Sequence, residues 1–412
     1  MKRLILLVCA ALLAVGCGKD RPKDIPQWNV DDPSAESRPS DDPSAAPGAS
    51  DDPSVEVSED PSRGIPDYTD MVLVYGYSHH RKPYAWTRDI MKDYVLYQDT
   101  EGAWHWLFDA FLCLEFMSVD GPDGNKTFIT GYKHNGSYLE SAAKDDWEKL
   151  LDYYCQTNTG IGAIDAAVAE GAASLGEPSR KRQIILCVPE PIPYRYNNYG
   201  ENQSGGTTYW GELDGKQLDF SKTADRVKAL KWYIDTAVEK FAARRYKNVE
   251  LGGFYITAER ATYITDILKP LGEYIRGKDY SFNWIPYYKA DGYHNWQAYG
   301  FTHAFMQPNY FFSEDIAKSR LVDACETVLR YQMGMEIEFD GKAMASTGWG
   351  YRLRDYMKYA QDYGVWEKCR LAYYQGSWAL RWLKDSSSEE DRQLYHDFCR
   401  FVTTRPIRET LE

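Results

Sequence analysis

The 412-residue chain carries a formal net charge of −13 and is 15% aromatic, with 33 Tyr and 13 Trp. Ten acids and one base fall between residues 31 and 62, so −9 of that charge sits in one short stretch. The remainder is near balance, which gives no support to nucleic-acid binding. Of eight cysteines, six (Cys113, Cys155, Cys187, Cys325, Cys369 and Cys399) lie far apart without a CxxC or Cys/His cluster. That spacing predicts buried free thiols and argues against a structural zinc.

The first residues, MKRLILLVCAALLAVGC, set Lys2 and Arg3 before an apolar run that ends at Gly16-Cys17, the form of an export signal. A cysteine after a small residue at this point resembles a bacterial lipobox. Residues 1–17 therefore read as a lipoprotein signal peptide, with Cys17 the lipidated first residue of the mature chain; an ordinary cleaved signal is the alternative. No later run is long and apolar enough to span a bilayer. From Asp31 the sequence repeats every ten residues as DDPSAESRPS, DDPSAAPGAS and DDPSVEVSED. Such a stretch has too little apolar surface to offset the entropy of ordering it, so residues 18–63 are expected to form a disordered tether reaching on the order of 40 Å. Residues 64–412 are then the folded domain. It is expected to be a monomer at the outer membrane or cell surface, attached to the membrane through its lipid.

Apolar runs of strand length recur along that domain, each followed by a segment of helical period. In chain order, strands are predicted at 71–77, 106–116, 183–190, 249–259, 282–288, 303–311, 335–339 and 368–375. Helical patterns are clearest at 224–245, 314–332, 352–363 and 387–402. Eight alternations predict an α/β fold, a parallel sheet closed into a (β/α)8 TIM barrel with long βα loops. The longest loop, 191–218, holds Tyr194, Tyr196, Tyr199, Tyr209 and Trp210 among Gly, Asn and Ser, which makes Trp210 a candidate sugar platform.

Barrel enzymes take their catalytic groups from the C-terminal ends of different strands, where side chains are both rigid and open to the cleft. The stretch GMEIEFDG, residues 334–341, alternates acids with apolar side chains. As a strand it puts Glu336, Glu338 and Asp340 on one face and Met335, Ile337 and Phe339 on the other. If the apolar set packs under helices, the glutamates turn to the barrel axis. On strand four, Gly253, Tyr255, Thr257 and Glu259 share a parity, with Phe254 and Ile256 toward the helices. Carboxylates on opposing strands four and seven suit glycoside hydrolysis, in which one protonates the leaving oxygen and the other attacks the anomeric carbon or activates water.

Glu259 is thus read as the acid and Glu338 as nucleophile or base. Glu336, two residues deeper, either orients Glu338 or contacts substrate; the alternative is pairing with a buried Arg or Lys. Glu190, Glu115 and Asp340 are further acids near strand ends. Substrate contacts are expected from Glu190, Tyr255, Tyr287, Tyr288, Gln307, Asn309, Trp210, His79 and Tyr374, whose rings and polar groups suit sugars. Neighbouring His79 and His80 lack a metal-binding spacing, and no GxSxG elbow, P-loop or dinucleotide loop occurs, so neither metal nor cofactor is expected.

In order along the chain, WLFDAFL, GGFYITAE, NWIPYYKADGYHNW, FMQPNYFF and GMEIEFD resemble the family catalogued as domain of unknown function 4855, over residues 71 to about 375. The resemblance implies a barrel similar to glycoside hydrolases, in exported proteins of carbohydrate-using bacteria, and carries the motif acids onto Glu259, Glu336 and Glu338. Ala258 stands directly before Glu259, where the large retaining clan with acids on strands four and seven has Asn. The sequence predicts a lipid-anchored glycosidase acting on a glycan or polysaccharide. A glycan-binding lipoprotein on the same barrel, without turnover, is the alternative.

Overall fold

The computed structural model describes residue 65 and residues 67–75, 86–119, 125–134, 136–198, 201–376 and 378–409. The expectations for Cys17, for the tether and for His79 lie outside these residues.

Eight parallel strands close into a barrel: β1 Asp70–Tyr75, β2 Ala110–Leu114, β3 Arg182–Val188, β4 Val249–Ile256, β5 Ser281–Trp284, β6 His303–Met306, β7 Gly334–Glu338 and β8 Leu371–Tyr374. Each pairs with its sequence neighbours, and β8 pairs back onto β1 with Met71 opposite Ala372. The chain is a TIM barrel. The longer helices run between the strands and after the last of them: α1 Arg88–Val95, α2 Lys144–Tyr154, α3 Ile161–Leu175, α4 Thr223–Arg244, α5 Thr265–Arg276, α6 Ser319–Arg330 and α7 Gly350–Asp362, then α8 Ala379–Asp385 and α9 Glu389–Thr403. The predicted second strand begins too early, because Trp106 belongs instead to an antiparallel hairpin of Leu96–Gln98 with Trp104–Trp106. Strands four, five and six end sooner than predicted, and their last predicted residues form the loops that carry the site. The 191–218 loop contains two hairpins, one pairing Tyr194–Asn198 with Glu201–Thr207.

The period-2 pattern sorts side chains into two cores. Met71, Leu73, Leu112, Leu114, Ile185, Cys187, Tyr255, Phe305 and Ala372 fill the barrel interior. Val72, Phe111, Leu186, Phe254, Ile256, Met335, Ile337 and Phe339 face outward and are buried against the helices. Strand seven therefore presents its apolar set to the helices and its glutamates to the axis. The described cysteines Cys113, Cys155, Cys187, Cys325, Cys369 and Cys399 are free and buried.

Strand four needs a device to achieve the same. Its register against β3 slips between Leu251, opposite Ile184, and Gly253, opposite Ile185, leaving Gly252 as an extra residue. Val249 and Leu251 below the bulge face the helices, and so do Phe254 and Ile256 above it. A one-residue slip exchanges the two faces of a strand. Gly252 thereby turns Tyr255, and two positions further each time Thr257 and Glu259, toward the barrel mouth. Gly253 meets β5 so closely that a Cβ there would lie 1.9 Å from the Ser281 hydroxyl and 2.4 Å from its carbonyl oxygen. Gly253→Ala is expected to cost about 2 to 3 kcal/mol by overpacking. Urea unfolding measures this, and an unchanged midpoint would contradict the close approach.

The opposite end of the barrel is closed by a buried ion pair. Asp70, the first residue of β1, contacts Arg405 at 2.5 Å and Arg408 at 3.2 Å, and accepts hydrogen bonds from the Tyr373 hydroxyl at 2.6 Å and the Thr69 hydroxyl at 2.7 Å. Both arginines follow α9, so the C-terminal segment is anchored to the first strand of the barrel.

Candidate active site

The site forms where the sheet outruns its strands. Tyr287 bridges to Gln307 beyond the ends of β5 and β6, and the Gln307 N–H donates to the Pro286 carbonyl at 2.9 Å. The Tyr287 N–H reaches the backbone carbonyl of Glu259 at 3.3 Å, which ties the loop after β4 to the same layer. In Gln307-Pro308-Asn309, proline biases Gln307 toward extended backbone. Asn309 then adopts φ 50°, a left-handed conformation that Asn tolerates better than most residues.

Three donors converge on Glu338 at the end of β7. The backbone N–H of Asn309 donates to Oε2 at 2.6 Å, the Asn309 side-chain amide to Oε1 at 3.2 Å, and the Tyr356 hydroxyl to Oε2 at 2.5 Å. This suits an ionised carboxylate, which can only accept. Tyr356 lies on α7 and its oxygen also accepts from the Tyr310 N–H at 3.1 Å. Burial and then the Glu338 charge push the Tyr356 phenol well above its ordinary value, so it remains a donor.

Glu259 accepts at Oε1 from the Gln307 side-chain amide at 3.0 Å. It is partly exposed, whereas Glu338 is 1% exposed. Ala258, before Glu259, points into the outer core and offers no amide to the mouth; the amide that meets the strand-four acid comes from beyond β6. Between the two strands, Tyr255 is buried, and its phenol is pushed well up, first by burial and then by the charges of Glu259, Glu336 and, more weakly, Glu190. Glu336, two residues below Glu338, is 3% exposed and its charge also acts on Tyr356. Glu190 is 4% exposed and accepts from the Thr130 N–H at 3.0 Å and the Thr257 hydroxyl at 3.1 Å. Burial pushes its carboxyl above the ordinary range, against those two hydrogen bonds and the Arg260 charge.

A family model described as "Domain of unknown function (DUF4855)" matches residues 70–400. The chain belongs to the DUF4855 family. A comparison with curated protein sequences finds no match. Among solved structures, the chain is similar to an endo-beta-N-acetylglucosaminidase from Cordyceps militaris, at 13% identity over 82% of this chain and 92% of that one, with a TM-score of 0.40. A putative alpha-L-fucosidase from Bacteroides thetaiotaomicron matches at 13% identity over 85% and 99%, TM-score 0.39. The carboxyl transferase domain of Rhizobium etli pyruvate carboxylase matches at 9% identity, TM-score 0.37; 90% of this chain spans only 55% of that one. Superpositions this loose do not choose a chemistry.

Within this DUF4855 domain, Glu259, Glu336, Glu338, Tyr255, Gln307 and Asn309 are brought together, with Glu190 beside them. Tyr287 contributes its backbone to the layer. Tyr374 lies opposite Glu338 in the β7–β8 register and its ring meets Phe312 edge-on at 5.9 Å. Two expectations need correction. Trp210 is 1% exposed and packs against Trp147, Phe220 and Trp232, so the hairpin loop folds its largest ring into the core, where no sugar can stack. Tyr288 directs its hydroxyl to Asp323 on α6 at 2.5 Å and its ring lies under the Arg320 guanidinium at 3.8 Å, which commits it to holding the loop on the helix. Asp340 accepts from the Lys342 N–H at 2.7 Å, capping the turn after β7. Glu115 is also buried, and its charge adds, after burial and Cys155, to what raises the Cys113 thiol. The residue that sequence reasoning missed is Tyr356. It stands on the buried face of α7 with Leu353 and Ala360, where its spacing reads as core.

Proposed function

We propose that this protein is a glycoside hydrolase in which Glu259 protonates the leaving oxygen and Glu338 attacks the anomeric carbon or activates water. The observation that carries the reading is the linkage of these two carboxylates, from the ends of β4 and β7, by the side chains of Gln307 and Asn309 at one barrel mouth. One carboxylate is enclosed by three donors and suits a charged role. The other lies nearer solvent, where a leaving group departs. Burial strengthens the Glu338 contribution, because little water competes there for the charge that develops on the sugar. Tyr255 lies within electrostatic reach of Glu259, Glu336 and Glu190.

The substrate is a glycan, met through neutral hydroxyl groups and aromatic rings. The signal ending in Cys17 supports an exported, lipid-anchored chain at the outer membrane or cell surface, and mass spectrometry of the mature N-terminus tests the lipid. Incubation of the protein with a panel of oligosaccharides and polysaccharides, read by newly formed reducing ends, tests the activity. New reducing ends from at least one glycan are expected. Glycans that bind without any product would leave the protein a binding module.

A further inference from the structure

Gln307 and Asn309 look, by residue type, like amides waiting for sugar hydroxyls. Their hydrogen bonds say otherwise. The Gln307 side-chain nitrogen donates both to Glu259 Oε1 at 3.0 Å and to the Ile285 carbonyl at 3.2 Å. The Asn309 side-chain nitrogen donates both to Gln307 Oε1 at 3.1 Å and to Glu338 Oε1 at 3.2 Å. Each amide carries two N–H donors, so all four are spent within the protein. Asn309 Oδ1 in turn accepts from the Tyr288 N–H at 3.3 Å.

These partners also fix which end of each amide is which. A backbone carbonyl can only accept, so the atom of Gln307 beside Ile285 is nitrogen. A backbone N–H can only donate, so the atom of Asn309 beside Tyr288 is oxygen. Neither amide can turn over without setting donor against donor or acceptor against acceptor. Asn309 is held in this arrangement at φ 50°, and a non-glycine residue keeps that backbone where its surroundings over-determine it.

We propose that Gln307 and Asn309 are positioning residues, a rigid two-amide bridge that holds Glu259 and Glu338 in a fixed mutual orientation, and that they do not bind substrate. The proposal rests on the reading of these carboxylates as a glycosidase pair. It has a definite chemical consequence. Oε1 of each glutamate faces an N–H, which fixes that oxygen as the acceptor of the bridge. Both halves of the bridge come from one segment, the loop directly after β6.

Asn309→Gly tests this with little collateral damage. Glycine accepts the left-handed backbone, and the N–H that donates to Glu338 Oε2 is retained, so only the amide is lost. Among the described residues, the groups facing Glu338 include Asn309 beyond β6, Tyr356 from α7, Tyr374 on β8, Glu336 on its own strand and, through the bridge, Glu259. Carbon-13 NMR titration of the glutamate carboxyls in the full-length protein reads the bridge without any substrate. The Glu338 midpoint is expected to rise by about one pH unit in Asn309→Gly, since a donor to its charged form is gone. The Glu259 midpoint is expected to move as well, because Gln307 loses its anchor. On a glycan that the wild type hydrolyses, kcat should fall roughly ten- to a hundredfold with KM changed less than about threefold.

Unmoved carboxyl midpoints would overturn the proposal, and so would an unchanged kcat with a KM raised about tenfold, the signature of lost substrate contacts. If no glycan is hydrolysed by the wild type, the glycosidase reading fails, while the titration still decides whether the bridge exists. Should Asn309→Gly not fold, Gln307→Ala cuts the same bridge at its other half and is read in the same two ways.

Discussion

Glu338→Gln is expected to lower kcat by at least about a thousandfold while the protein stays folded and still binds its glycan. The amide keeps the volume of the carboxylate and loses the charge and the lone pairs that attack carbon or take a proton from water. Its structural cost can be read from the site. Gln offers one accepting oxygen where Glu338 offers two, and the Asn309 amide would then face an NH2 group across 3.2 Å in the present geometry. One mismatched donor pair costs about 1 to 3 kcal/mol. Such a loss lowers the melting temperature without unfolding the domain, so circular dichroism separates a dead folded enzyme from an unfolded one. Calorimetric titration with the glycan should give an affinity within about tenfold of wild type. A variant that hydrolyses normally would remove Glu338 from the chemistry and return attention to Glu336 and Glu190.

Arg405→Met is expected to be the most destabilising single change in the barrel, costing about 3 to 5 kcal/mol at neutral pH. Methionine fills much of the space, but the buried Asp70 charge keeps, of its two arginines, the longer Arg408 contact, beside the Tyr373 and Thr69 hydroxyls. The penalty depends on pH in a defined direction. Burial alone would raise the Asp70 carboxyl, and Arg405, then Arg408, then the hydrogen bonds of Tyr373 and Thr69 more than offset this and hold it below its ordinary 3.8. A folded-state value below the unfolded one stabilises the fold above about pH 3.8, and that contribution fades as pH falls through the lower, folded value. In Arg405→Met the contribution is absent. The stability gap between wild type and variant should therefore be full at pH 7 and narrow below about pH 3.8. Denaturant unfolding across that range measures it, and a gap independent of pH would show that packing, not the ion pair, is what Arg405 supplies.

The barrel was legible because its signals are local. Eight apolar runs, each with a helical segment after it, need only neighbouring residues to be recognised, and the order of the strands in the closed sheet follows from short right-handed crossovers. The inward turn of Glu336 and Glu338 was legible for the same reason, since Met335, Ile337 and Phe339 declare the opposite face. On strand four the parity above Gly253 could be read, but the bulge at Gly252 could not. Val249, Leu251, Phe254 and Ile256 all face the helices, and no uninterrupted alternation contains both pairs.

The site's inner wiring was not legible, because it depends on residues that meet only after folding. Tyr356 comes from a helix whose pattern reads as core, and it reaches Glu338 because α7 packs over the end of β7. Gln307 and Asn309 are recognisable as polar groups at a strand end, yet nothing in the sequence says that their four N–H donors are already taken. Trp210 failed in the other direction. Its polar neighbours argued for an exposed ring, while Trp147 on α2 and Trp232 on α4, distant in sequence, build the cavity that buries it.

In the proposed reaction the Glu259 and Glu338 pair adds water across a glycosidic bond. Running the reaction on the responsive glycan in water enriched in oxygen-18, followed by mass spectrometry of the early products, tests it most directly. The account predicts one heavy oxygen at the anomeric carbon of each new reducing end, and no labelled product from Glu338→Gln or from Glu259→Gln on a substrate with a poor leaving group. Glycan bound by the wild type with no product, or an unsaturated product that carries no label at a new reducing end, would contradict it.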